Sequence, residues 1–498
     1  MNIVSSNITE ISTPKIIYTA ENYNTDFMLP DYYGNISKIL CCSIVPGVES
    51  HSVSDSKIII NGELQINLMY ISEEKNLQCY NNTFKYMRTV SAESNISNSC
   101  ISVEQEISSE NVRALGPKRF NINGIVEIKI NIESLNKLGY TQNIDDKDIQ
   151  IKRKDLAYFN VTHHSAQTLK IKEHINTSCN ISEIIHKDFE FDVHDKKTIK
   201  DKTYLSGKNR FTFTYLDNTG AIKKYSTEIP FNEIIETTFS EEGNECFIGR
   251  VSPNLNINLN KNENDNTTIE INADICFSVT CGSDNNISLI DDLYSIGSEL
   301  ETKQKDVNII SQIKSNSQIC KITYIPENVN DAELCEAYIK DIKITFEDKD
   351  NSVNLILDCK CCFISEYDNL YYYDEKKQIG VYKINTSRSN CRHEATSVKM
   401  LNIKPLQEKN YATGVVFEIL VEYIEIESCN VILFTEIERT CTENTEADSK
   451  FFLYFAQPDE SIWLIAKENK TTTEELCNIN GIDCDTITSE TMLVFPGF

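Results

Sequence analysis

The sequence predicts a mainly β chain: three tandem β-rich, sandwich-like units followed by a small α+β module of βααβ order. Three observations predict it. The composition favours β-branched and aromatic residues, with only 16 Gly and 10 Pro in 498 residues. One segment recurs in fixed register. After Asp448 the texture changes, and the single tryptophan of the chain appears.

The repeat comes first, because an overlooked repeat misassigns the whole fold. Asn35-Ile36-Ser37-Lys38-Ile39-Leu40 returns as Asn180-Ile181-Ser182-Glu183-Ile184-Ile185, an offset of 145 residues. The offset then holds without a gap, pairing Gly62 with Gly207, Tyr70 with Tyr215, Leu77 with Ile222, Tyr80 with Tyr225 and Tyr86 with Phe231. A diverged third copy stands at an offset of 293, where Ile364-Ser365-Glu366, Asn369-Leu370 and Tyr373 match Ile71-Ser72-Glu73, Asn76-Leu77 and Tyr80. Its glycine place holds Leu355, and its opening is diffuse around Asn328-Val329.

Within each copy, apolar and polar residues alternate, as in Phe211-Thr212-Phe213-Thr214-Tyr215, the period of a half-buried strand. Longer alternations at 122–132, 269–279 and 415–426 close each copy, and one buried face per strand points to antiparallel sheet. The expected organisation is an N-terminal segment 1–30, repeats at 31–140, 176–282 and 322–440, and a terminal module at 451–498. The polar stretches Gln142–Lys154 and Asp291–Ser317 are expected to be linkers or short helices.

In the terminal module, Ser461 can cap a helix with apolar face Ile462, Ile465 and Ala466, and Thr472 or Thr473 with Glu474 or Glu475 can start a second. Gly481 would end that second helix, and Met492-Leu493-Val494-Phe495-Pro496 would pair as a strand with 452–455. The module carries eight carboxylates against two lysines.

These motifs resemble two known domains. The Ile-Ser-Glu-Ile opening, the Gly eight residues before Tyr, Ile229-Pro230-Phe231 and the threefold arrangement resemble the SPOCS domain of spore coat morphogenetic proteins of endospore-forming bacteria. The stretch from Tyr454 through Pro458-Asp459-Glu460-Ser461-Ile462-Trp463 to Ala466, with Asn480-Gly481-Ile482, resembles a LysM domain. LysM domains grip N-acetylglucosamine-containing glycan between the loop before the first helix and the loop after the second. Here Asp459 and Glu460 stand where that family has Gly and Asp, and an Asp takes a positive φ less freely than Gly. In SPOCS-plus-LysM proteins the LysM domain docks instead onto the ATPase that forms the coat's basement layer. The resemblance therefore implies a non-enzymatic coat assembly scaffold with that ATPase and other coat proteins as partners. It implies a site at the mother-cell cytoplasmic face of the forespore and in the spore coat. The expected contact residues are Asp459, Glu460, Ile462, Trp463 and Ile482, with Trp463 as LysM core the plainer alternative. The second reading is a peptidoglycan- or cortex-binding LysM protein.

Other classes are disfavoured. A net charge of -27 without a basic stripe opposes nucleic acid and anionic lipid, and no run of about 20 apolar residues suggests membrane insertion. The opening MNIVSSNITE has neither a basic nor an apolar signal region. The 18 cysteines match no zinc frame and are expected to be mostly buried thiols, with oxidative cross-linking as the alternative. His163, His164, His174, His186 and His194 could ligate a metal, but none has HExxH spacing, so solvated linker histidines are expected and no metal or cofactor. GxSxG, P-loop and GxGxxG motifs are absent, and no catalytic residue is assigned. Tyr367 and Tyr371 to Tyr373 are read as sheet core and rim, with a protein-binding strip as the alternative.

Overall fold

A computed structural model describes residues 1–54, 56–92, 96, 99–261, 267–327, 333–349, 352–367, 370–384, 391–408, 411–440, 452–483 and 485–495. The diffuse third-copy opening at Asn328-Val329, and the residues Asn369 and Pro496, lie outside the described residues. The strands fall into three units of one topology. The first comprises β1 (Asn2–Ile11), β2 (Lys15–Met28), β3 (Ile36–Ser54), β4 (Lys57–Ser72), β5 (Leu77–Ser91), β6 (Ser99–Gly116) and β7 (Arg119–Asp145). The second comprises β8 (Ile149–Thr177), β9 (Ile181–Ile199), β10 (Lys202–Asp217), β11 (Ile222–Glu236), β12 (Glu245–Lys261) and β13 (Thr267–Ser295). The third comprises β14 (Glu299–Tyr324), β15 (Glu333–Lys349), β16 (Ser352–Tyr367), β17 (Leu370–Ile384), β18 (Cys391–Glu408) and β19 (Tyr411–Thr440).

In each unit three successive strands form an antiparallel meander (β3-β4-β5, β9-β10-β11, β15-β16-β17). The last strand lies between the first and the penultimate one, as in β8-β13-β12 and β14-β19-β18, and the first unit splits its opening strand into β1 and β2, both paired with β7. Pro14 sits at the split, where a residue without an N–H ends the ladder. Every meander strand of the second unit begins and ends 145 residues after its counterpart in the first, so the repeat seen in sequence is a repeat of strand boundaries.

The repeated glycine has a steric cause. Gly62 pairs with Tyr86 and Gly207 with Phe231, and a Cβ at either position would meet the partner's ring, at 2.3 Å and 2.9 Å. An aromatic ring covers the strand where the side chain is missing. In the third unit the arrangement moves: Leu355 pairs with Tyr382, whose ring lies beside Gly380.

The stretches expected to be linkers are strands instead. Residues 142–154 hold the end of β7 and the start of β8, and 291–317 the end of β13 and much of β14. The N-terminal segment 1–30 likewise forms β1 and β2, so pairing carries each unit upstream of the expected starts at 31, 176 and 322. The reason is burial from outside the unit. The ribbons β1/β7, β8/β13 and β14/β19 pack on one another, with Tyr140, Leu289 and Leu433 in one cluster and Ile144, Leu293 and Ile437 in another. Their polar outer faces gave these segments a linker-like composition.

The meanders converge at a second meeting point, where Cys41, Met69, Ile185, Leu216, Tyr338 and Cys362 share one apolar cluster. His186 stacks on Tyr338 at 4.2 Å. Between neighbours the joints are head to tail. Glu63 of β4 accepts from Asn254 and Asn256 of β12 at 2.8 and 2.7 Å. Asp192 of β9 pairs with Lys399 of β18 at 2.7 Å, and Lys340 of β15 with Glu110 of β6 at 3.2 Å. First to second, second to third, third to first: the meander of each unit meets the penultimate strand of the next, and the ring closes within one chain.

At its centre, charges from all three units lock together. Glu133 of β7, 1% exposed, lies 3.0 Å from Arg250 of β12, 2.6 Å from Arg392 of β18 and 3.3 Å from His164 of β8, and Arg250 also reaches Glu394 at 2.7 Å. Burial alone would raise the Glu133 carboxyl, but His164 and the two arginines hold it down at about 2. Burial would lower His164, yet its partners, Glu133 among them, raise it to about 9.

The histidines are therefore not solvated linker residues as expected. They stand on β8 and β9; His163 is buried and the His164 side chain is 3% exposed, on opposite faces, and only His174 and His194 lie open. Among the described residues no group of three His, Cys, Asp or Glu could hold a metal. Cys246 and Cys281 face one another across β12 and β13 and form a disulfide, while thirteen other described cysteines, from Cys41 to Cys429, carry free thiols. Burial pushes the Cys41, Cys42 and Cys362 thiols up to about 12, which makes them unreactive. The tyrosines of the third copy divide: Tyr371 and Tyr373 fill the meeting point of the meanders, whereas Tyr367 and Tyr372 are exposed.

Candidate functional site

The terminal module follows the expected βααβ order: β20 (Phe452–Ala456), α1 (Ile462–Glu468), α2 (Thr473–Asn480) and β21 (Thr491–Phe495), with β20 and β21 antiparallel. Thr472 caps α2 by accepting from the Glu475 N–H at 2.9 Å, and Gly481 ends it with φ +64°. Ser461 occupies the N-cap of α1 but its side chain makes no capping bond. The Ile462 N–H is satisfied by the Asp485 carbonyl instead, at 3.0 Å. Asn480 ties α2 to β21, donating to the Val494 carbonyl and accepting from its N–H, at 2.9 and 2.7 Å.

The two loops that frame the expected groove are stitched together. Asp459 N–H donates to the Ile487 carbonyl at 2.8 Å, and Ile487 N–H to the Glu460 carbonyl at 2.9 Å. Asp459 adopts φ +70°, so it takes the left-handed backbone the sequence argued against, at a cost in strain that Gly would avoid. Glu460 closes its own loop, accepting from the Gln457 N–H at 3.0 Å and the Tyr454 hydroxyl at 3.2 Å.

The five predicted contact residues do not share one face. Asp459 is exposed, Glu460 is engaged within the loop, Ile462 is buried in the module core, and Ile482 packs against that core. Trp463 points to β13. Its Nε1–H donates to Asp292 Oδ2 at 2.7 Å, its ring meets Tyr294 edge-on at 4.9 Å, and Lys467 of the same helix reaches Asp292 at 2.6 Å. The Tyr294 hydroxyl donates to the Thr471 carbonyl at 2.7 Å. Burial would raise the Asp292 carboxyl, but Lys467 and Trp463 hold it below its ordinary value, and burial with Asp292 alongside pushes Tyr294 up to about 12. Trp463 thus packs against the module core and at the same time seats the module on β13. Sequence reasoning missed Asp292 and Tyr294 because they stand in a stretch read as linker.

A cleft of about 490 Å³ opens beside this seat, lined by Ser461, Trp463, Thr473, Glu474, Asp485 and Lys152 of β8. It mixes the Trp463 ring, Ile462 and Cys477 with hydroxyl, carboxylate and ammonium groups.

The LysM domain family model matches residues 455–496, and the family model described as SipL, SPOCS domain, matches residues 35–115 and 180–260. The chain is therefore similar to SipL-type proteins, with two SPOCS-domain matches and a C-terminal LysM match. No curated protein and no solved structure matches it. The two SPOCS spans lie in the first and second units, 145 residues apart at both ends, and the third unit repeats their strand order. SPOCS and LysM are non-catalytic binding domains, and together they mark a sporulation protein of the spore coat or one that binds cell wall. Among the described residues no helix is long and apolar enough to cross a membrane.

Proposed function

We propose that this chain is a non-enzymatic spore coat assembly scaffold that docks through its LysM domain onto the coat basement-layer ATPase and recruits coat around the forespore from the mother-cell cytoplasm. The observation that carries the reading is the joining of a closed ring of SPOCS-type units to an acidic LysM domain. The ring supplies a rigid, many-sided platform, and the module supplies a tether. Eight carboxylates against two lysines, one already paired with Asp292, favour a basic protein surface over a neutral glycan.

The second reading is peptidoglycan or cortex binding. The cleft beside Trp463 favours it, as does the retained left-handed turn at Asp459. The test is retention of the purified full chain by the basement-layer ATPase and, in parallel, by insoluble peptidoglycan at physiological salt. Retention by the ATPase alone is the expected result; retention by peptidoglycan alone would replace the scaffold with a wall binder.

A further inference from the structure

The LysM sheet has an inner and an outer face. Inward, Tyr454 and Ala456 of β20 and Leu493 and Phe495 of β21 cover the two helices. Outward, strand alternation places Leu453 and Phe455 of β20 beside Val494 and Met492 of β21, paired Leu453 with Val494 and Phe455 with Met492. A solvated sheet face is ordinarily polar. Here all four positions are apolar, and Leu453, Phe455 and Met492 are 54%, 68% and 52% exposed.

This face is separate from the seat on β13, which α1 makes through Trp463 and Lys467, and from the loops of the expected groove. It therefore stays open while the module is docked on its own chain. A contiguous exposed apolar patch on a folded domain marks a binding surface more often than chance. The surroundings specify what covers it. Beyond the same end of the hairpin stand Asp459 after β20 and Glu490 before β21, both exposed. The module as a whole is acidic, and so is the chain, with a net charge of -27. A second copy would bring like charge to the rim.

We infer that the outer face of the LysM sheet, centred on Phe455 and Met492, is the docking surface for a protein whose contact patch is apolar at its centre and cationic at its rim. The inference rests on the scaffold reading above, and it moves the contact from the groove residues to the sheet. The side chains involved are rigid or unbranched anchors that bury much area, as hot-spot residues do. The cationic rim makes association faster and tighter at low salt.

The test uses the full chain and the purified basement-layer ATPase as probe, comparing wild type, Phe455→Glu with Met492→Glu, and Asp459→Lys. Folding of each variant is checked by thermal melting and by emission of Trp463, the sole tryptophan. The sheet-face variant should fold as wild type does and bind at least about tenfold more weakly, while Asp459→Lys should weaken binding far less. Wild-type binding should also fall as salt rises. If the wild type binds and the sheet-face variant binds equally well, the surface is elsewhere and the scaffold reading stands. Should wild type fail to bind, both readings fall. If wild type instead sediments as a dimer that Phe455→Glu dissociates, the occupant is a second copy and the inference is overturned.

Discussion

The joints inside the ring and the joint that holds the LysM domain are built differently. At the ring centre, Glu133 is 1% exposed and is held by groups from two other units. The LysM domain is held chiefly through one carboxylate, Asp292, and one tyrosine, Tyr294, with Asp292 and Lys467 28% and 38% exposed at their side chains. Buried charges tolerate no loss of a partner, whereas a half-solvated pair can part and be rehydrated. The three units should consequently unfold together, and the LysM domain should be able to leave its seat without disturbing them.

The strongest way to break the ring is to remove a charge from its centre. Arg250→Ala leaves Glu133 and Glu394 buried with Arg392 and His164 as their remaining cations, and should cost roughly 3–5 kcal/mol. Denaturant unfolding should show one earlier transition that includes all three units. An unshifted midpoint would mean that water replaces the guanidinium and that the centre is not a lock.

The same centre gives stability two pH limits. Glu133 is lowered from 4.5 to about 2, so its contribution is present above 4.5 and lost as pH falls toward 2. His164 is raised from 6.5 to about 9, so its contribution is complete below 6.5 and lost as pH rises through about 9. Each limb spans about 3–4 kcal/mol at most, at 1.4 kcal/mol per unit. Urea midpoints should fall between pH 6.5 and 9, and His164→Gln should flatten that alkaline limb and also shrink the acid one, because His164 is one of the groups that hold Glu133 down.

Much of this architecture was legible in the sequence, and the failures share one cause. The meanders were readable because period-two alternation and a fixed 145-residue offset are local signals. The linkers were misread because Ile149, Leu293, Val307 and Ile309 find their partners in other units, so each looked like an isolated apolar residue in a charged stretch. The site failed in the same way. The order of elements, the Thr472 cap and the core of the LysM domain are local and were found, but the partner of Trp463 lies 171 residues away in β13.

At the LysM joint a smaller effect is expected. Asp292→Ala removes the acceptor of the Trp463 indole and of Lys467, about 1–2 kcal/mol of docking. The midpoint of the ring should stay in place while Trp463 emission shifts to the red as the indole enters water. A wild-type spectrum in the variant would show that Tyr294 and its bond to Thr471 suffice to hold the seat.

Within the module the smallest change runs the other way. Asp459 holds φ +70°, and among the described residues no hydrogen bond requires its carboxylate, whereas its N–H bond to Ile487 requires only the backbone. Asp459→Gly keeps that bond and relieves the strain, so it should stabilise the LysM domain by about 0.5–1 kcal/mol, with the ring unchanged. The variant also removes one negative charge from the loop that faces the expected glycan groove. If peptidoglycan retention rises with the melting temperature of the module, Asp459 is what turns this LysM domain away from glycan. If only the melting temperature rises, the acidic rim acts through Glu460 and its neighbours, and the turn at Asp459 is simply the backbone shape the loop needs.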